Sequence, residues 1–180
     1  SGSLPTAVRR TIARDLERIG CTAERGQTWR IPAPGPLVAD SVIAVGMPEK
    51  PDAVAVREAA GAAVRAAGAV KSVVVALPTG SQSLLAAACE GALLGAHVPL
   101  KITGSPATDP VGAITVATTA PRAARSAVKR NSVADVKAAG LARDLVNEPP
   151  VRLTPAAFAA TAKKQCKGLP VKVSVWEPER

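Results

Sequence analysis

The sequence predicts an α/β domain, three-layered α/β/α around a mixed, mostly parallel sheet, and three observations carry that expectation. Ser41–Val45 and Ser72–Leu77 are short, continuous apolar runs rich in β-branched residues, the composition of strands buried on both faces. An Ala-rich stretch of helical length follows each run. A glycine then closes each stretch, Gly68 after the first and Gly95 after the second. Strand, helix, strand, helix in this rhythm is the pattern of a parallel or mixed sheet covered by helices.

The elements follow in order. Residues 4–19 set Val8, Ile12, Leu16 and Ile19 along one stripe, which predicts an amphipathic helix ended by Gly20. Gln27–Ile31 is a candidate strand, and the proline-rich run Ile31–Pro36 is a turn. The strand Ser41–Val45 stops at Gly46, and a polar turn leads into a helix over Ala53–Ala67. The strand Ser72–Leu77 turns through Pro78-Thr79-Gly80-Ser81 into a helix over Gln82–Gly95. Leu100–Thr103 and Ala113–Ala117 are further strands on either side of the loop Gly104–Pro110. Pro121–Arg130 predicts a short helix, and Ser132 is expected to cap a separate one running into Leu145. Pro149 and Pro150 end that helix, because each lacks an N–H and restricts the residue before it. Thr154 caps a last helix that has Pro155 at its first position and closes at Gly168. Val171, Val173 and Val175 alternate as a final strand, which requires a partner sheet.

Composition narrows the function classes. Hydrophobic residues make up 47% of the 180 positions but aromatics only 2% (Trp29, Phe158 and Trp176), so the core must be built from Ala, Val, Leu and Ile. Such side chains bury little area each, and a core of this kind is modestly stabilising at about 25 cal/mol per Å². The charge is +9, from 23 basic and 14 acidic residues. The cations are spread over helices, Arg10, Arg14 and Arg18 on one and Arg122, Arg125, Lys129 and Arg130 on another, and tyrosine is absent. That distribution suits solvated faces, or a surface facing acidic parts of another domain, better than a nucleic-acid groove with stacking aromatics. Cys21, Cys89 and Cys166 are odd in number and never in C-x-x-C spacing, which suits reduced thiols in the cytoplasm. No apolar run reaches the ~18 residues of a membrane span.

The run Leu141–Pro155, LARDLVNEPPVRLTP, is the most specific stretch in the chain. With AAFAATAKK after it, it resembles the interdomain segment of the leucyl (cytosol) aminopeptidase family, the di-metal exopeptidases. The family's usual form has an Asn after the paired prolines, where this chain has Val151 and Arg152. DSVIAVGMPEK, SVVVALP and AAACEGALLGAHVPLKITG resemble the family's N-terminal domain, with Glu90-Gly91-Ala92 and Leu94-Gly95 matching a recurrent pattern. The resemblance implies an N-terminal domain over residues 1–140, interdomain helices over 141–170, and the start of a C-terminal catalytic domain at 171–180. For the intact protein it implies a cytoplasmic homohexamer that removes N-terminal residues from peptides with two divalent metals, manganese or zinc. This domain would then help assemble the hexamer and restrict access to the sites.

Candidate chemistry within the 180 residues is sparse. The family's NTDAEGR signature, which carries metal-binding carboxylates, occurs nowhere here, and Asp40, Asp52, Asp109, Asp135 and Asp144 are scattered over different elements. Two cations sharing a water need several converging carboxylates. A lone histidine, His97, cannot build a zinc site, and no G-x-S-x-G elbow stands behind a Ser-His-Asp triad. Catalytic, cofactor-binding and metal-binding residues are therefore assigned to none of these positions. Pro78-Thr79-Gly80-Ser81 is the best anion-site candidate, since helix N-termini offer free N–H groups, but it lacks a P-loop Lys and a dinucleotide fingerprint. The competing assignment is that Ser81 simply caps the helix. The family's N-terminal domain resembles macro domains, which bind ADP-ribose, so the alternative function is a stand-alone nucleotide- or ADP-ribose-binding module, or a basic nucleic-acid-binding one.

Overall fold

The computed structural model describes residues 4–98 and 111–176. The order is α1 (Thr6–Arg18), β1 (Thr28–Pro32), β2 (Ser41–Val45), α2 (Ala53–Ala67), β3 (Ser72–Val75), α3 (Gln82–Gly95), β4 (Ala113–Val116), α4 (Arg122–Asn147) and α5 (Pro155–Gln165). The fold class is α/β, layered as α/β/α, with strands paired in both senses. β1 and β2 are antiparallel, Thr28 opposite Val45 and Pro32 opposite Ser41. β3 and β4 are parallel, Ser72 beside Ala113 and Val75 beside Val116.

The core lies where α2 and α3 cover one face of β3 and β4. Val73, Val75, Ile114 and Val116 point into these helices and meet Ala60, Val64 and Ala92. Val74, on the opposite pleat, is 69% exposed. A second cluster joins Val56 of α2 to Ala87 and Ala88 of α3, and a third joins Leu85, Ala120 and Val128 beneath α4. The core is thus as alanine- and valine-rich as the composition requires.

Side chains this small let the helices approach backbone to backbone. A Cβ on Gly91 would be driven into the carbonyl oxygen of Arg57, and one on Gly95 would lie 2.5 Å from that of Gly61. At the rim of the contact the Arg57 guanidinium donates to Glu90 Oε2 through Nε and Nη2, at 2.9 and 2.8 Å. α2 is held at both ends: Asp52 accepts from the Ala55 N–H at 2.8 Å, and Arg30 of β1 donates to the carbonyl of Ala67 at 2.9 Å. A cation over the last carbonyls also complements the helix dipole.

Two expectations are revised. Ser132 caps nothing: α4 is one helix of 26 residues, and Ser132 is buried within it at 1% exposure. Asn131-Ser132 has cap-like chemistry, but no Gly or Pro interrupts the chain there, and packing through Val128, Ser132 and Gly140 outweighs a weak local preference. Val171, Val173 and Val175 form no ladder among the described residues, because a strand needs a neighbour and none lies alongside. The expected strand Leu100–Thr103 lies outside the described residues.

Replacing Gly91 by Ala tests the backbone contact. We expect a loss of about 2 kcal/mol, since overpacking outweighs the helix propensity that alanine adds. Urea unfolding should show a lower midpoint with unchanged slope, and Gly61→Ala, whose nearest carbonyl is 3.2 Å away, should cost less.

Candidate binding cleft

The carboxyl ends of parallel strands are where α/β sheets form ligand crevices. Here the ends of β3 and β4 run into Ala76–Gly80 and Ala117–Thr119, which form the floor of a cleft of about 660 Å³. The first turn of α1 forms its wall with Leu4, Pro5, Thr6 and Arg9. The two floor segments are laced together. Thr79, 5% exposed, donates its hydroxyl to the Ala117 carbonyl at 2.8 Å, and Thr118 donates to the Thr79 carbonyl at 2.9 Å. The Ala120 N–H in turn donates to Thr118 Oγ1 at 3.0 Å.

The candidate anion loop therefore has its polar atoms largely committed. Ser81 does cap α3, its hydroxyl accepting from the Leu84 N–H at 3.3 Å. Among the described residues Arg9 is the one charge in the cleft wall, and it donates to Thr6 Oγ1 at 3.3 Å. The α1 N-terminus contributes more than the sequence suggested, because Pro5 stands at the cap position and offers no side-chain acceptor to the first turn. The cleft could hold an anion of modest size, and nothing in it is arranged for bond-breaking chemistry.

His97 lies elsewhere. It follows α3, and its Nε2 is 3.2 Å from Oδ1 of Asp144 on α4. Both atoms are sealed from solvent without a well-aligned hydrogen-bond partner, so each is the other's counterpart. Gly140, one turn before Asp144, leaves room for the imidazole, from which a Cβ there would lie 3.5 Å. This pair is the feature that sequence reasoning missed, since residues 47 positions apart show no spacing that would join them. Its role is to fasten α4 to the end of α3.

Several other carboxylates are engaged locally. Asp52 caps α2, Glu90 holds Arg57, and Glu58 pairs with Arg25 at 2.8 Å. Burial, and secondarily the charge of Glu90, pushes the Cys89 thiol above its usual range, the opposite of an activated nucleophile. Cys21, Cys89 and Cys166 are all unpaired. Arg122, Arg125, Ser126 and Lys129 line a shallow groove on α4. Among the described residues no group of three or more His, Cys, Asp or Glu could hold a metal ion, so the two divalent metals implied by the resemblance do not fit them. No described helix is long and apolar enough to cross a membrane.

The model of the N-terminal domain of the cytosol aminopeptidase family matches residues 2–101, more than half of the chain. The chain belongs to the cytosol aminopeptidase family. Curated relatives extend the likeness beyond that match. The "Probable cytosol aminopeptidase" of Leifsonia xyli subsp. xyli is 36% identical over 182 aligned residues, covering 98% of this chain and 36% of the relative. That of Streptomyces griseus subsp. griseus is 38% identical, over 91% of this chain and 36% of the relative. The chain thus spans about a third of the length of the cytosol aminopeptidases it matches. Among solved structures, the bottromycin maturation enzyme BotP in complex with Mn superposes with a TM-score of 0.67 at 31% identity. The match covers 91% of this chain and 33% of BotP. The cytosol aminopeptidase of Coxiella burnetii, at TM-score 0.53 and 16% identity over 91% of this chain and 32% of its own, shares the fold.

The His97–Asp144 contact can be measured in this aminopeptidase-family domain by a double-mutant cycle. His97→Ala should cost about 0.5–3 kcal/mol, because it removes the imidazole that lies 3.2 Å from the buried Asp144 Oδ1. Adding Asp144→Ala should restore part of that loss, with a coupling energy of about 1 kcal/mol in chemical denaturation.

Proposed function

We propose that this chain is the N-terminal, non-catalytic domain and connecting segment of a metal-dependent aminopeptidase that removes N-terminal residues from peptides. The observation that carries the reading is the family match over residues 2–101, together with relatives that continue for about twice this length beyond the matched part. In this reading residues 1–140 are the domain, 141–170 the connecting helices, and 171–180 the start of the catalytic domain. The catalytic domain supplies the metal ligands, and the metal is manganese or zinc. BotP, with its bound Mn, supports a metal for the whole protein. The whole protein is a cytoplasmic homohexamer, and this domain contributes to its assembly and narrows access to the active sites. Asp52, Glu90 and Asp144 are occupied as a cap and as ion-pair partners, which supports a scaffolding role for the domain itself.

The test compares the 180-residue chain with the full-length protein that carries it. Each is given Mn or Zn and a leucyl chromogenic substrate. The full-length protein should turn the substrate over and lose activity with a chelator, while the 180-residue chain should show none above buffer. Metal-dependent turnover by the 180-residue chain would reject its non-catalytic assignment.

One observation favours a second reading: the cleft above β3 and β4 is walled by Arg9 and an uncapped helix start. A domain that used it would bind a phosphate-bearing nucleotide. Calorimetric titration with ADP-ribose should then give a saturable heat that Arg9→Ala removes, and a flat titration rejects this reading.

A further inference from the structure

The start of α4 is held differently from most helix starts in this chain. α2, α3 and α5 each begin on a side-chain cap, whereas α4 begins on Pro121, which supplies none. Its first turn also holds no acidic residue to complement the positive end of the helix dipole. Arg122 and Arg125 stand there instead, with Lys129 one turn further on, and all three line one shallow groove. Among the described residues, none of these three cations has an ion-pair partner. The weakness is local. Ala120 and Val128, 5% and 4% exposed, anchor the chain on either side, and none of residues 121–127 between them is buried. A short exposed stretch with an uncapped, like-charged helix start is drawn from the low end of local stability.

One hydroxyl shares that groove with the cations. Ser126 is exposed, four residues after Arg122 and three before Lys129, the separations at which side chains on a helix meet. We propose that Ser126 is a phosphorylation site whose phosphate is held by Arg122, Arg125 and Lys129. The co-reactants are a nucleoside triphosphate and a serine kinase that selects basic residues around its target. Ser126 Oγ attacks the γ-phosphorus, and the bond from that phosphorus to the bridging oxygen of the β-phosphate breaks. The hydroxyl proton passes to the base of the kinase, and the products are phosphoserine and nucleoside diphosphate. A phosphoserine brings a charge of about −1.5 to −2 and three strong acceptor oxygens, which is what this helix start lacks. Charge-assisted bonds from the two guanidinium groups then tie the first turns of α4 together. Fraying of residues 121–127 presents Ser126 to the kinase, and the dianion afterwards closes the frayed turn. Ser132, six residues on, shows the contrast: at 1% exposure it is sealed against the same reaction.

Two measurements test the proposal. Serine kinases selective for basic sequences are first screened with magnesium ATP on a peptide of residues 118–131, and one that modifies Ser126 there is given the folded chain. The chain should gain one phosphoryl group by intact mass, placed on Ser126 by fragmentation, and Ser126→Ala should abolish the gain. Failure of every such kinase on the peptide overturns the proposal, and so does a folded chain that stays unmodified at Ser126. Hydrogen exchange then compares the chain with and without phosphoserine at position 126, installed during translation so that no kinase is needed. Amides of residues 123–129 should exchange roughly fivefold more slowly in the phosphorylated chain at low salt, and the gain should shrink as salt is added. Replacing Arg122→Ala and Arg125→Ala together should remove the gain while the α2 amides exchange as before, which separates a lost phosphate seat from lost folding. Exchange that is unchanged or faster on phosphorylation overturns the proposal, as does a slowing that survives the paired arginine substitutions.

Discussion

The backbone-to-backbone contact between α2 and α3 is the constraint on which the rest of the domain depends. Gly91 and Gly95 bring α3 against the carbonyls of Arg57 and Gly61 on α2, closer than any side chain would allow. With the helices that near each other, alanines suffice to fill the space, and Val75 and Val116 of the strands close it from below. The other face of α3 then supports α4 through Leu85 and Val128, and the end of α3 delivers His97 to Asp144. The Arg57–Glu90 pair fixes how the two helices slide along each other, although its partly exposed setting makes it a modest contributor in energy. The pattern Glu90-Gly91-Ala92 with Leu94-Gly95, met as a family likeness, is therefore a packing code.

Much of this was legible in the sequence because the elements concerned are locally consistent. α2, α3 and the strand Ser41–Val45 have the bounds that their apolar runs and flanking residues imply, since Ser81 caps α3 and Gly68 ends α2 as expected. α4 was harder to read. Asn131-Ser132 looks like a helix start, but the decisive term is burial of Ser132 under its neighbours, a tertiary fact. The final strand failed for the opposite reason: alternating valines state a preference that a missing neighbour cannot satisfy. At the candidate cleft, Ser81 was legible as a cap, whereas the wall provided by α1 comes from a residue more than seventy positions away. The His97–Asp144 pair was invisible for the same reason.

The charge of the chain also takes on a structural meaning. Four of the eleven acidic residues in the described chain are spent on holding helices: Asp52 on a cap, Glu58 and Glu90 on arginines, Asp144 on a histidine. Arg122, Arg125 and Lys129 sit together in the first turns of α4, which has no acidic residue to offset them there and no cap from Pro121. Cations at that end of a helix oppose its dipole. Part of the positive charge is thus gathered at the start of α4, where the first turn carries no acidic counterion.

The buried edge of α4 has a consequence for how this domain can change over evolutionary time. Its inward positions Val128, Ser132, Gly140 and Asp144 recur at multiples of four. Each residue turns the helix by about 100°, so one inserted between Val128 and Gly140 would swing Gly140 and Asp144 away from His97 together. An insertion beyond Asn147, ahead of Pro149 and Pro150, leaves that register intact, whereas one in the sixteen residues before Asp144 breaks it. The helix behaves as a ruler whose far mark is read by a single imidazole.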